Sequence, residues 1–316
     1  MMLRRTFLAA GAGWGVVRAA QAQSRPLTIV VSFAPGGPAD LIARRLAETW
    51  RRTSGRVITV ENRAGAGGNV AAEYVARASP DGLTLLFGSS GPLAINPLLF
   101  RQISYDPTRD FAPLLSLGRL PNVLLVRSQT KDLADFVAGA RQSPLTYGSS
   151  GNGATSHLAG AMFALATGVE LQHVPYRGTG PALQDLIAGH IGATFTDVLT
   201  AAPHVRAGTL RALGVTTPER SAVLPEIMTL HEQGLTGFDA SVFFGLVAPA
   251  RIPAELSASI VSEARAAMDD PTLRESLLAS GLIPPASSSP EALAQLMAVE
   301  RERWGRVISA TGVRVD

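Results

Sequence analysis

The chain has 316 residues, contains no cysteine, and carries a formal net charge of +3. It is long enough for two domains with substantial cores. The absence of cysteine excludes disulfides, a thiol nucleophile and thiolate metal ligands. No run of basic residues marks a surface for nucleic acid, so we expect no nucleic-acid partner.

The first 22 residues resemble an export signal. Arg4 and Arg5 precede a short apolar stretch that runs to Val17, and a small-residue cleavage site ends at Ala22. Paired arginines followed closely by Phe and Leu favour the twin-arginine route. The apolar stretch is shorter than the roughly 20 residues that span a bilayer. We therefore expect cleavage near Ala22 and a freely soluble periplasmic protein.

Removal of this segment also changes the charge. Three of the 28 basic residues lie in it and none of the 25 acidic ones, so the remaining 294 residues carry 25 of each. The high pI of the whole chain therefore says little about the partners of the mature protein.

Short apolar runs alternate with helical patterns along most of the chain. The predicted strands cover residues 27–33, 57–60, 83–88, 123–126, 145–149, 173–176, 191–196, 210–216 and 238–247. The predicted helices cover residues 38–52, 67–78, 132–141, 155–167, 180–188, 253–268, 271–280 and 290–309. This alternation predicts an α/β protein with mostly parallel sheets and helices on both faces.

The last three helices follow one another without an intervening strand, and each begins with a proline, as first helical turns often do. Such helices pack on a sheet that earlier strands have formed. We therefore predict two domains, with residues 23–121 and 225–316 in domain 1 and residues 122–224 in domain 2. The crossings, near Pro121 and within residues 217–225, form a hinge of two crossing strands. Ligands of such proteins bind in the cleft between the domains.

The first candidate site is the loop after the first strand. Two glycines between a strand and a helix direct free backbone N–H groups at an anion, and Pro38 suits the first helical position. Asp40 either caps the helix or binds a polar group through water, and an ordinary strand-to-helix turn is the alternative. The loop consists of Phe33, Ala34, Pro35, Gly36, Gly37, Pro38, Ala39 and Asp40.

The second candidate site also joins a strand to a helix. Its hydroxyls, amide and flexible backbone suit recognition of a carboxylate without a buried positive charge. The candidate residues are Ser150, Gly151, Asn152, Gly153, Ala154 and Thr155. His157, in the first helical turns, is expected to make structural hydrogen bonds. Gly151 and Gly153 resemble the start of a dinucleotide fingerprint, but Ser156 replaces its third glycine, so no nucleotide cofactor is expected.

Two charged residues follow later strands. Arg177 is placed to clamp a carboxylate, while pairing with Asp185 or Asp197, or exposure to solvent, are the alternatives. Asp197 ends the strand at residues 191–196 and points toward the carboxyl-end crevice, where sheets of this kind bind ligands.

Enzyme signatures are weak. Residues 148–152 lack the last glycine of a nucleophile elbow, and no His-x-x-x-His pair or cysteine cluster indicates a metal site. The remaining enzymatic alternative is an exported hydrolase that uses Ser150, His157 and Asp197. It requires the histidine within hydrogen-bond reach of the serine hydroxyl.

Several segments together resemble one known family across essentially all of the mature chain. They are Pro-Gly-Gly-Pro-Ala-Asp at 35–40, Val-Glu-Asn-Arg-Ala-Gly-Ala-Gly-Gly at 60–68, Pro-Asp-Gly-Leu-Thr-Leu-Leu at 80–86, Ser-Gly-Asn-Gly-Ala at 150–154, His-Val-Pro-Tyr-Arg-Gly at 173–178, and Arg-Ala-Gly with Leu-Arg-Ala-Leu at 206–213. In this order they resemble the substrate-binding proteins of tripartite tricarboxylate transporters, the Bug family.

The resemblance implies a two-domain periplasmic-binding-protein ("Venus flytrap") fold and no enzymatic activity or cofactor. It implies that one ligand carboxylate is held by the first two loops, with Asp197 also at the site. Ser89 and Ser90, on another carboxyl-end loop, are expected to line the cleft. Ala154 stands where many relatives carry serine, which removes one hydroxyl from the second loop. The implied partners are a small organic carboxylate and the permease subunits of a membrane transporter, with a membrane sensor kinase as the alternative, and a monomer is expected.

Overall fold

The computed structural model describes residues 25–315, so the predicted export signal and its cleavage site lie outside the described residues. The strands are β1 (Leu27–Val31), β2 (Ile58–Asn62), β3 (Thr84–Ser89), β4 (Phe111–Leu120), β5 (Asn122–Arg127), β6 (Leu145–Ser149), β7 (Leu171–Pro175), β8 (Ala193–Asp197), β9 (Leu210–Val215) and β10 (Val242–Pro249). They form two five-stranded sheets, with the orders β2-β1-β3-β10-β4 and β7-β6-β8-β5-β9.

Helices flank both sheets. They are α1 (Pro38–Ser54), α2 (Asn69–Ala76), α3 (Asn96–Leu99), α4 (Leu133–Gln142), α5 (Thr155–Thr167), α6 (Thr179–Ala188), α7 (Val198–Arg206), α8 (Ala254–Met268), α9 (Pro271–Ala279) and α10 (Pro290–Thr311). A 3-10 turn at Ala66–Gly68 precedes α2, and a π-helical turn at Gly91–Ile95 precedes α3. Between residues 25 and 315, none of the helices combines the length and hydrophobicity that crossing a membrane requires.

Helix α1 shows how sequence pattern and packing agree. Ile42, Leu46 and Trp50 are spaced by four residues, so they lie on one face of the helix, and all three are fully buried. Each such burial stabilises the fold by about 2 kcal/mol. The helix ends at Gly55, whose φ of 71° is a left-handed conformation that glycine adopts without strain. This packing fixes the helix start, and therefore the loop before it, against the first sheet.

The two-domain α/β class is confirmed, but the sheets are mixed and not mostly parallel. In the first sheet β1 pairs in parallel with β2 and β3, whereas β10 pairs antiparallel with β3 and β4. In the second, β6 pairs in parallel with β7 and β8, whereas β5 pairs antiparallel with β8 and β9. Consecutive strands can pair in parallel only through a crossover connection within one sheet. The strands β5 and β10 enter directly from the other sheet and have no such connection.

The chain passes between the sheets at neighbouring points. Pro121 joins β4 directly to β5, and the Thr216 N–H at the end of β9 donates to the Asn122 carbonyl at 2.9 Å. The Ala240 N–H donates to the Thr216 carbonyl at 2.9 Å, which favours a second crossing after residue 240 and not within residues 217–225. The division of the strands between the sheets places the second crossing between β9 and β10, and the domain ranges drawn from the sequence remain a prediction.

Candidate ligand-binding site

A cavity of about 380 Å³ lies between the two sheets. Its walls come from the loops after β1, β3, β6 and β7, from the carboxyl end of β8, and from the first residues of β5 and β10. Because β5 and β10 are antiparallel to their neighbours, their first residues lie beside the carboxyl ends of β8 and β3. The cavity therefore occupies the crevice where α/β sheets commonly bind ligands.

Most of the residues singled out from the sequence meet at this cavity. Those that line it are Phe33, Ala34, Pro35, Gly36, Gly37, Pro38, Ala39, Ser89, Ser150, Ala154, Thr155, Arg177 and Asp197. Those that do not line it are Asp40, Ser90, Gly151, Asn152 and Gly153. Lining residues that the sequence reasoning missed are Gly91, Asn122, Ser156, Gly178, Thr179, Gly180, Pro181, Thr196, Thr200, Val242 and Phe244. The pattern of a strand followed by glycines and a helix start could have indicated residues 178–181. No local pattern indicates Asn122, Val242 and Phe244, which reach the cavity only because of the way their strands pair.

Asp40 supports the first loop from behind. Its carboxylate is buried and accepts hydrogen bonds at 2.9 Å from the Gly36 N–H, from Arg44 Nε and from Asn62 Nδ2. The Asn62 amide also donates to the Phe33 carbonyl at 3.0 Å. Burial by itself raises the pKa of Asp40, but the hydrogen bonds from Arg44, Gly36 and Asn62 outweigh it and hold the pKa below its ordinary value. The carboxylate therefore fixes the shape of the loop while its backbone faces the cavity.

Three helices begin at the cavity without a capping side chain. The N-cap residues that precede α1, α5 and α6 are Gly37, Ala154 and Gly178, and none of them caps its helix with a side-chain hydrogen bond. All three residues line the cavity. Unsatisfied N–H groups and the positive end of the helix dipole favour an anion at such a position.

The second loop is braced by hydroxyl groups. Ser156 Oγ accepts from the Ser150 N–H at 3.1 Å and lies 3.0 Å from Ser150 Oγ. Thr155 Oγ1 accepts from Asn122 Nδ2 at 2.9 Å, which connects the start of α5 to the first crossing strand. Ser156, two residues after Ala154, lines the same cavity and places a hydroxyl there.

Two stacked histidines lie beneath this loop. The rings of His157 and His173 are 3.9 Å apart between centroids and tilted by only 13°. His157 Nδ1 accepts a long hydrogen bond of 3.4 Å from the Gly153 N–H, and His173 Nε2 lies 2.6 Å from Ser149 Oγ. Burial lowers the pKa of His157 to about 4, and burial together with the neighbouring ring lowers the pKa of His173 to about 3. Both rings are therefore neutral near pH 7 and act as supports for the loop.

The arrangement does not suit a serine hydrolase. The Ser150 hydroxyl pairs with Ser156 and not with His157, and the Asp197 carboxylate bonds to Thr200. Within residues 25–315 there is also no cluster of His, Cys, Asp and Glu that is able to hold a metal ion.

Two charged residues line the cavity. Arg177 is exposed and forms no ion pair or hydrogen bond with the part of the chain that the structure describes, so it pairs with neither Asp185 nor Asp197. Asp197 is buried and caps α7, accepting from the Thr200 N–H at 2.8 Å and from the Thr200 hydroxyl at 2.7 Å. Burial raises the pKa of Asp197 above its ordinary value, against the opposing effect of Thr200. Thr196 is close enough to lower this pKa slightly, although its hydroxyl has no hydrogen bond of good geometry.

The two sheets also meet in a glycine-rich contact beside the cavity. A Cβ on Gly67 would overlap the Asn152 carbonyl, and a Cβ on Gly153 would overlap Asn96 Oδ1. That oxygen is buried and accepts no hydrogen bond. The turn before α2 and the first residue of α3 therefore pack directly on the second loop, in a way that only glycine permits.

Two α/β lobes that face each other across a cavity and are joined by crossing strands define a solute-binding protein of the periplasmic-binding-protein fold. The chain belongs to the family described as "Tripartite tricarboxylate transporter family receptor", whose model matches residues 42–313. This confirms the family predicted from the sequence motifs. Members of this family are periplasmic solute-binding receptors and not enzymes, so the expectation of a non-enzymatic protein is confirmed as well.

Individual relatives match over nearly their whole lengths. A UPF0065 protein from the tcbD-tcbE intergenic region of Pseudomonas sp. (strain P51) is 38% identical over 290 residues, which cover 90% of this chain and 86% of the relative. The structure of Rhodopseudomonas palustris Rpa4515 with adipate is 34% identical, has a TM-score of 0.87, and is matched over 98% of its length by 92% of this chain. The structure of MatC from the same organism with bound malate is 35% identical, has a TM-score of 0.84, and is matched over 99% of its length by 90% of this chain.

Proposed function

We propose that this protein is exported to the periplasm, captures a small carboxylic acid in the cavity between its two sheets, and delivers it to the permease subunits of a tripartite tricarboxylate transporter. The observation that carries the proposal is the convergence of three uncapped helix starts, those of α1, α5 and α6, on one cavity. The related structures of Rpa4515 and MatC contain adipate and malate, which are both carboxylic acids.

In this proposal the carboxylate binds to the backbone of the first loop and to the start of α5. The first loop contributes Gly36 and Gly37, which allow close approach of the backbone, and the second contributes Ser150 and Thr155. Asp40 and residues 151–153 act behind these groups, because they hold the loops in shape without facing the cavity. The site thus binds an anion through uncharged donors, so no charged group of the protein has to be removed from water.

The mechanism is closure of the two lobes around the ligand. A carboxylate that binds one lobe and contacts the other favours the closed state by its differential affinity, and a few kcal/mol shifts the population strongly. We assign the contacts of Gly67 with Asn152 and of Gly153 with Asn96 to the closed state, because they join the two lobes. Recognition of the closed state by the membrane subunits then couples binding to transport.

The test is thermal unfolding of residues 23–316 with a panel of mono-, di-, tri- and aromatic carboxylic acids. A ligand at 100 times its dissociation constant adds about 2.7 kcal/mol to the free energy of unfolding, which raises the melting temperature measurably. The methyl ester or amide of each acid is the matched control, because it keeps the shape and loses the negative charge. A shift with the acid and none with its ester supports the proposal, whereas the absence of a shift with every acid contradicts it.

A further inference from the structure

The lining of the cavity combines uncharged hydrogen-bond donors, which suit an anion, with a largely apolar wall. Phe33, Val242 and Phe244 contribute apolar side chains, and the donors at the helix starts are uncharged. Arg177 is the one basic residue among the lining residues of this cavity, and it lies exposed at the edge. A ligand with two or three carboxylates would find a single guanidinium, that of Arg177, to balance its additional charge.

The acidic residue of the lining imposes a further condition. Asp197 is 3% exposed, and its carboxylate receives two donors, the N–H and the hydroxyl of Thr200. A carboxylate offers about four acceptor positions, and Thr200 does not fill all of them, because its one hydroxyl is shared between Oδ1 and Oδ2. No cation pairs with it among residues 25–315. A buried charge of this kind is costly unless it is paired or hydrogen-bonded.

We propose that the ligand is an amphipathic monocarboxylic acid whose far end carries a hydrogen-bond donor, a hydroxyl or an ammonium group, that binds Asp197. The carboxylate lies on the uncapped helix starts, the apolar body lies against the aromatic side chains, and the donor fills the open acceptor positions of Asp197. This inference rests on the proposed function, because it assumes that the cavity binds carboxylic acids. A second carboxylate at the far end would face the negative charge of Asp197 and bind more weakly.

The experiment is calorimetric titration with two scaffolds that differ only at the far end. The linear series is hexanoate, 6-hydroxyhexanoate, 6-aminohexanoate and adipate, and the rigid series is benzoate, 4-hydroxybenzoate, 4-(aminomethyl)benzoate and terephthalate. In at least one series, a donor-bearing acid should bind at least about tenfold more tightly than the unsubstituted acid and the dicarboxylate, as expected for a hydrogen bond to a charged group.

The variant Asp197→Asn isolates the charge. Asparagine caps a helix as well as aspartate does, so α7 should remain intact. The advantage of the donor-bearing acids should disappear and the dicarboxylate should gain affinity. Asp132→Asn is the matched control, since Asp132 caps α4 in the same way through the Asp135 N–H and does not line the cavity.

The outcomes separate this inference from the proposed function. If a dicarboxylate binds most tightly, or if the preference for a donor persists in Asp197→Asn, the inference is overturned while carboxylate binding stands. If neither series binds but malate or citrate does, the inference is likewise overturned. If no acid of any class binds, the proposed function fails together with it.

Discussion

Acidification should destabilise this protein through the stacked pair His157 and His173. The ordinary pKa of a histidine is 6.5, whereas the pKa values in the folded protein are about 4 and about 3, because burial disfavours the charged ring. The unfolded chain therefore binds more protons than the folded protein between pH 6.5 and pH 4. The contribution of both rings to stability is complete above pH 6.5 and is lost as the pH falls through this window.

The magnitude follows from the size of the shifts. A pH of 5 is about 1.5 units below the pKa of a histidine in the unfolded chain, and each unit corresponds to about 1.4 kcal/mol of free energy. Each ring therefore costs on the order of 2 kcal/mol at pH 5, and the pair costs on the order of 4 kcal/mol. The depressed pKa of Asp40 acts only below pH 3.8, outside this range. The raised pKa of Asp197 acts with the opposite sign, so a comparison of variants is needed and not the wild-type slope alone.

The assay is urea unfolding at pH 7 and pH 5 of the wild type, His157→Gln and His173→Gln. Each substitution should change the difference in the free energy of unfolding between pH 7 and pH 5 by on the order of 2 kcal/mol, since it removes one of the two buried rings. His190→Gln is the control, because His190 is exposed. Equal pH dependence in the wild type and in both core variants would refute the assignment of the effect to these rings.

Two further predictions concern the loops. Asp40→Ala should lower the free energy of unfolding by about 1 to 3 kcal/mol, because it leaves the partly buried Gly36 N–H and the Asn62 amide without this acceptor. It should also weaken carboxylate binding, and unchanged affinity in calorimetry would argue against the first loop as a site. Gly153→Ala should weaken binding at least about tenfold, because its φ is +78° and its Cβ would overlap Asn96 Oδ1, which prevents the lobes from closing. Gly208→Ala is its control, with a φ of +69° and open space around the added carbon, and equal effects of the two substitutions would contradict the role of the interlobe contact.

The sequence by itself indicated the family, the α/β class and the loops that reach the cavity. These features are local, because a strand followed by glycines and a helix start has the same geometry wherever it occurs. Gly36, Gly37, Ser150 and Thr155 therefore line the cavity as the pattern predicted. The whole set of motifs in order was also sufficient to identify the receptor family, which the match over residues 42–313 confirms.

The orientation of individual side chains was decided by the tertiary structure. Asp40 reads as a ligand contact in the sequence, yet its carboxylate turns back to Gly36, Arg44 and Asn62, a residue of the next strand. The sequence pattern predicts that Gly153 contacts the ligand carboxylate, but in the structure Gly153 packs against the other lobe. Such outcomes depend on which partner is near, and the partner is distant along the chain.

Strand direction was likewise a property of the assembled fold. The alternation of strands and helices predicted mostly parallel sheets, but β5 and β10 enter from the opposite lobe and run antiparallel to β8 and β3. That reversal brings Asn122, Val242 and Phe244 to the cavity. Local sequence determines that a segment is extended and which of its faces is apolar. The neighbour beside which it lies, and in which direction, is set by burial and hydrogen bonding between segments that are roughly 70 to 160 residues apart in the chain.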